Sequence, residues 1–175
     1  MLSILERFST EMNNIISIKK LSISFDKKNN VVDSVSFDIP KGKTVALVGE
    51  SGSGKTITAL SILKLLSKSA YYPEGEILLN KENILNYSDY QMQKIRGKRI
   101  SAIFQEPMSS LNPLHTIDKQ ISEILLTHSK ISKKEARKKT IELLHEVGLD
   151  KIAERTKTYS YELSGGQRQR VMIAM

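Results

Sequence analysis

The chain has 175 residues, 39% hydrophobic and 26% charged, with 27 Lys and Arg against 19 Asp and Glu for a formal net charge of +8. That length supports one domain with a buried core, and the absence of cysteine excludes a disulfide scaffold or a thiolate metal site and suits a reducing compartment. No apolar run approaches the roughly 18–20 residues of a membrane span, and Met1-Leu2-Ser3-Ile4-Leu5-Glu6-Arg7 lacks the basic-then-apolar order of a signal peptide.

Residues 1–13 are polar and irregular and read as a loose arm. Apolar residues then mostly alternate over residues 15–25 and again over 31–39, separated by the polar turn Asp26-Lys27-Lys28-Asn29-Asn30. Both stretches predict strands of antiparallel type. Residues 44–48 form a short apolar run expected as a buried strand, and residues 57–66 carry a helical pattern. After a break at Tyr71-Tyr72-Pro73-Glu74-Gly75, residues 76–79 predict a short strand, residues 87–97 a weak basic helix, and residues 100–104 a second buried strand. Beyond Pro113, Ile117, Ile121, Ile124 and Leu125 lie on one helical face. Ser132 and Glu135 form an S-x-x-E capping box before a helix whose apolar face is Ala136, Leu143, Leu144 and Val147, with Gly148 as its C-cap. One composite domain over residues 14–175 is expected, with a helical insertion over 113–160.

The first chemistry lies between the run at 44–48 and the helix after it. Gly49-Glu50-Ser51-Gly52-Ser53-Gly54-Lys55-Thr56 fits G-x-x-x-x-G-K-[ST]. Glycines let successive N–H groups point into a concavity, and the following helix adds its positive end, so the loop suits an anion. Lys55 would reach β- and γ-phosphates, and the Thr56 hydroxyl would ligate Mg²⁺. The plainer alternative is a Gly/Ser-rich surface turn that precedes a lysine. The second motif is Leu163-Ser164-Gly165-Gly166-Gln167-Arg168-Gln169-Arg170. Ser164 can cap a helix or donate to a phosphate oxygen, and the two glycines admit a phosphate close to the backbone. Taken alone, it is equally an ordinary helix cap.

Together the two motifs resemble those of the ATP-binding-cassette (ABC) ATPases, from about residue 15 to the end of the chain. The resemblance implies an α/β fold: a P-loop NTPase core with an N-terminal antiparallel β subdomain and a helical subdomain, here C-terminally truncated. It implies ATP and Mg²⁺ as cofactors and head-to-tail pairing with a second ABC cassette. Ser164, Gly165, Gly166 and Gln167 would then contact the γ-phosphate of an ATP held by the partner cassette. Gln105, after the strand ending at Phe104, matches the glutamine that ligates Mg²⁺ and water and senses the membrane subunits. Phe25 lies where the family stacks an aromatic on adenine, but it also fits a core strand position. Residues 105–113, Gln105-Glu106-Pro107-Met108-Ser109-Ser110-Leu111-Asn112-Pro113, look like the importers of di- and oligopeptides, a group that includes nickel and microcin C types. Such a subunit would sit peripherally at the cytoplasmic face of the inner membrane. It would work with transmembrane permease subunits and, indirectly, a periplasmic solute-binding protein.

No apolar run ending in Asp-Glu occurs anywhere in these residues, and His115, His128 and His145 lie in the helical insertion. The family's water-activating carboxylates and switch histidine therefore have no counterpart, and these residues alone are expected not to turn over ATP. The strands at 44–48 and 100–104 would keep exposed apolar edges. A split-gene or non-functional fragment is the alternative. A soluble ABC protein acting on nucleic acid is another, since residues 130–139 and 151–157 are basic. With 6% aromatics and no Trp, a base-stacking surface has little support.

Overall fold

The computed structural model describes residues 13–104, 111–155 and 157–175. The chain divides into two compact units, Met1–Arg96 and Gly97–Met175.

The first unit is built on an antiparallel sheet of order β2-β1-β3-β4, with β1 Asn14–Ser24, β2 Asn30–Pro40, β3 Glu76–Leu79 and β4 Glu82–Asn83. Strand β1 is central. Ile16, Ile18, Leu21 and Ile23 are all buried, although Ile18 and Leu21 are three apart and should face opposite ways in a regular strand. A register shift between Ile18 and Leu21 resolves the conflict. Lys20 is left-handed (φ 46), and so is Ser34 of β2 (φ 48). The Lys20 N–H donates to Ser36 Oγ at 2.8 Å and the Ser34 N–H to Ser22 Oγ at 2.9 Å. The bulge thus re-phases the strand and sends both halves of its apolar pattern into one core. Ile18 and Ile16 meet Ile77 and Leu79 of β3 on the other side.

The β1–β2 turn is organised by Asp26. Its carboxylate accepts from the N–H groups of Lys28 and Asn29, each at 2.8 Å, and from Asn29 Nδ2 at 3.0 Å. The Asn29 and Lys28 backbone donors hold its pKa far below the usual carboxylate range.

Helix α1, Lys55–Ile62, ends before the residue 66 expected from sequence. Lys64 adopts φ 49, and the N–H of Leu65 returns to Leu60 O at 3.0 Å, a closure that stops the helix. Helix α2, Asp89–Ile95, starts from a Ser88–Gln91 capping box and buries Met92 and Ile95. The S-x-x-Q spacing that announces this box was present in the sequence.

Two expected strands are absent. Residues 44–48 join no ladder, and Val48 is 88% exposed. Residues 101–104 likewise join none, and Ile103 is 57% exposed. An all-buried strand needs hydrogen-bonded neighbours and cover on both faces, and no described residue pairs with either segment.

The second unit packs α3 Ile117–His128, α4 Lys133–Glu146, α5 Asp150–Ala153 and α6 Gly165–Ala174. Ile117, Ile121, Leu144, Leu149, Leu163 and Val171 share its core. The Ser132–Glu135 capping box starts α4 as expected, and Gly148 turns the chain out of it at φ 69. Buried Gln120 is satisfied by donating to Asn112 O and His115 O and accepting from the Asn112 N–H. It pins the turn before α3 onto that helix. Lys130, Lys133, Lys134, Arg137, Lys138 and Lys139 are all exposed. Among the described residues no helix is long and apolar enough to cross a membrane.

The turn at Asp26 gives a pH test. A carboxylate whose folded pKa is depressed contributes its full stability above the unfolded value, near 4, and loses it as pH falls towards the folded value. Asp26→Asn should therefore unfold at lower urea than the parent chain at pH 7, and the gap should shrink by pH 3. A gap of equal size at both pH values would refute this role.

Candidate functional site

The phosphate loop lies between the unpaired segment at 44–48 and α1. Gly54 is the N-cap of α1 and adopts φ 81. A Cβ there would lie 2.9 Å from Val31 O and 2.9 Å from Val32 Cγ2, so the loop seats directly on β2. The next turn is tied back to it: Thr58 donates to Gly54 O through its N–H at 2.8 Å and through Oγ1 at 2.9 Å. Gly52 is also left-handed, at φ 81. No side chain caps the start of α1. Its first-turn N–H groups have no helical acceptors, and the dipole of the helix is positive at that end.

Lys55 turns back over the loop. Its ammonium donates to Gly49 O at 2.8 Å, Glu50 O at 2.5 Å and Ser53 Oγ at 3.2 Å. The cation, the uncapped helix start and the glycine-bounded backbone therefore converge on one small exposed surface. That arrangement fits a phosphate chain. Thr56, the second helical residue, is exposed, and its hydroxyl can offer one oxygen to a metal ion. Among the described residues no cluster of three or more His, Cys, Asp or Glu could hold a metal. A Mg²⁺ held at Thr56 would take most of its remaining ligands from phosphates and water, as that ion commonly does.

Phe25 stands in the turn one residue after β1, half-buried. The structure therefore takes it out of the strand core that sequence left open for it. Gln105 lies outside the described residues.

In the second unit Ser164 is the N-cap of α6, and a capping box joins it to Gln167. The Ser164 N–H donates to Gln167 Oε1 at 2.9 Å, and the Gln167 N–H to Ser164 Oγ at 3.3 Å. The ordinary cap is thus present. It does not explain Gly165 and Gly166. Both open the helix, both are exposed, and an added Cβ would meet nothing within 4 Å at either. Glycine inside a helix is costly relative to alanine, by roughly 0.5–1 kcal/mol at mid-helix, and no described residue comes close enough to require it here. A ligand that approaches the backbone closely would.

Gly54→Ala tests the loop's seat. Left-handed strain and the contacts with β2 should together cost about 2 kcal/mol. The measurement is the urea midpoint, and a change under about 0.5 kcal/mol, the range of ordinary surface substitutions, would contradict the geometry.

The family model for ABC transporter matches residues 32–175. Over 170 residues the chain is 51% identical to the peptidoglycan transport ATP-binding protein YejF of Agrobacterium fabrum, covering 95% of this chain and 31% of that relative. Over 168 residues it is 46% identical to the oligopeptide transport ATP-binding protein AppD of Bacillus subtilis, covering 94% and 51%. It thus spans about a third to a half of these relatives. A dimeric bacterial ABC transporter cassette matches with TM-score 0.76 at 28% identity, covering 91% of this chain and 67% of that one. The same cassette in a post-hydrolysis state bound to ADP and Pi also matches with TM-score 0.76, at 27% identity and the same coverage. With matched motifs, matched fold and a family match over most of its length, the chain belongs to the ABC transporter family.

Proposed function

We propose that this chain is the nucleotide-binding part of an ATP-driven importer of peptides or related solutes. The observation that carries the proposal is the phosphate loop, where Lys55 and the uncapped start of α1 converge beside Gly49 and Gly54. Gly49, Glu50, Ser51, Gly52, Ser53, Gly54, Lys55 and Thr56 would cradle the β- and γ-phosphates of ATP. Mg²⁺ would bind through the Thr56 hydroxyl and Gln105, and when bound it would neutralise charge on those phosphates. Phe25 would stack on adenine.

Ser164, Gly165, Gly166 and Gln167 would face a nucleotide held by a second cassette. The open backbone at the two glycines supports this role. The names of the relatives, which specify peptidoglycan and oligopeptide transport, support peptides or related solutes as cargo. Permease subunits would then anchor the chain at the cytoplasmic face of the inner membrane, and a periplasmic solute-binding protein would deliver the cargo. The apolar run ending in Asp-Glu that would activate water in such a cassette has no counterpart among these 175 residues. The chain by itself therefore binds Mg-ATP without turning it over.

The test is titration of the chain with the fluorescent nucleotide TNP-ATP in Mg²⁺, alongside phosphate release. Saturable binding without turnover is expected. Lys55→Ala should weaken it at least about tenfold, because a charge-assisted contact to phosphate is lost. Thr56→Ala should remove most of the Mg²⁺ dependence. Absence of binding by the parent chain, or affinity unchanged by Lys55→Ala, would overturn the reading.

A further inference from the structure

The end of α1 away from the phosphate loop is closed by charge. Lys64 occupies a left-handed position (φ 49) where glycine is the usual choice. Its N–H donates to Ser61 O at 3.0 Å, and the N–H of Leu65 to Leu60 O at 3.0 Å. Arg96 serves the next two carbonyls. Its Nε donates to Leu63 O at 2.7 Å and its Nη2 to Lys64 O at 2.8 Å. Lys64 answers from the other side, with Nζ donating to Tyr87 O at 2.7 Å and Leu85 O at 3.0 Å. Two cations therefore bind four carbonyls and fasten the end of α1 to residues 85–96. The guanidinium is partly shielded from water, and its rigid fork fixes direction as well as distance.

Helix α1 has only eight residues, about 12 Å at 1.5 Å per residue. A rod that short, held at one end, is aimed at the other. Its far end is Gly54 and Lys55, joined to the rod by both bonds from Thr58 to Gly54 O. We propose that Arg96 is a positioning residue for phosphate binding: through Leu63 and Lys64 it sets the axis of α1 and so the placement of Lys55 and Thr56. This rests on reading the loop as a nucleotide site.

The test uses the full chain with two probes, TNP-ATP and TNP-AMP. Both carry the same fluorophore, and only the first carries the β- and γ-phosphates. Arg96→Ala should weaken TNP-ATP about tenfold, within the range by which residues that touch no ligand shift binding at a coupled site, and leave TNP-AMP within about twofold. Arg96→Lys keeps the charge without the fork and should fall between parent and alanine variant for TNP-ATP alone. Circular dichroism checks folding, and if the alanine variant does not fold the lysine variant decides. Unchanged TNP-ATP affinity in the folded variants, or equal loss of both probes, would overturn the proposal. A parent chain that binds neither probe would instead overturn the nucleotide reading, and this inference with it.

Discussion

A helix cannot satisfy its own ends. The first N–H groups and the last carbonyls need partners from outside, and in this chain the two sequence motifs lie where those partners are unusual. Helix α4 is closed conventionally, with Ser132 and Glu135 at its start and Gly148 at its finish. Helix α1 is not. Its start carries no side-chain cap and lies under a lysine turned back on the loop. Its finish places a lysine where glycine would be easier and adds a guanidinium to the exposed carbonyls. Charge therefore stands at both poles of one short helix.

Helix α6 shows the same constraint met in another way. Ser164 and Gln167 satisfy each other through the capping box, so the helix needs no ligand in order to form. What remains unexplained by folding is the pair of glycines behind the cap. They leave the backbone open at the positive end of the helix, a surface to which an anion can come close. The starts of α1 and α6 thus differ in kind. One is an uncapped end with its own cation, and the other is a capped end stripped of side chains.

The first sheet is legible in sequence only up to a point. Alternation located β1 and β2, but strict alternation cannot place both Ile18 and Leu21 in one core. The bulge at Lys20, whose N–H donates to Ser36 Oγ across the hairpin, makes them compatible. A serine hydroxyl within a strand does not announce such a role by itself. The apolar runs at 44–48 and 100–104 mislead for the opposite reason. Composition records that a segment is fit for burial in a parallel sheet, but a strand exists only when a neighbour completes its hydrogen bonds.

By itself the sequence determined the glycine-rich turn before α1, the cap at Ser164, the helical face of α3 and the capping box of α4. Each is written in residues a few positions apart, where local geometry dictates the chemistry. Only the tertiary structure decided that Phe25 stands in a turn, that Gly54 rests on β2, and that Gln120 holds the turn before α3. Tertiary structure alone also brought Arg96 to the end of α1. Leu63 and Arg96 are 33 positions apart, and their contact is to backbone carbonyls, which every residue has and no motif can mark.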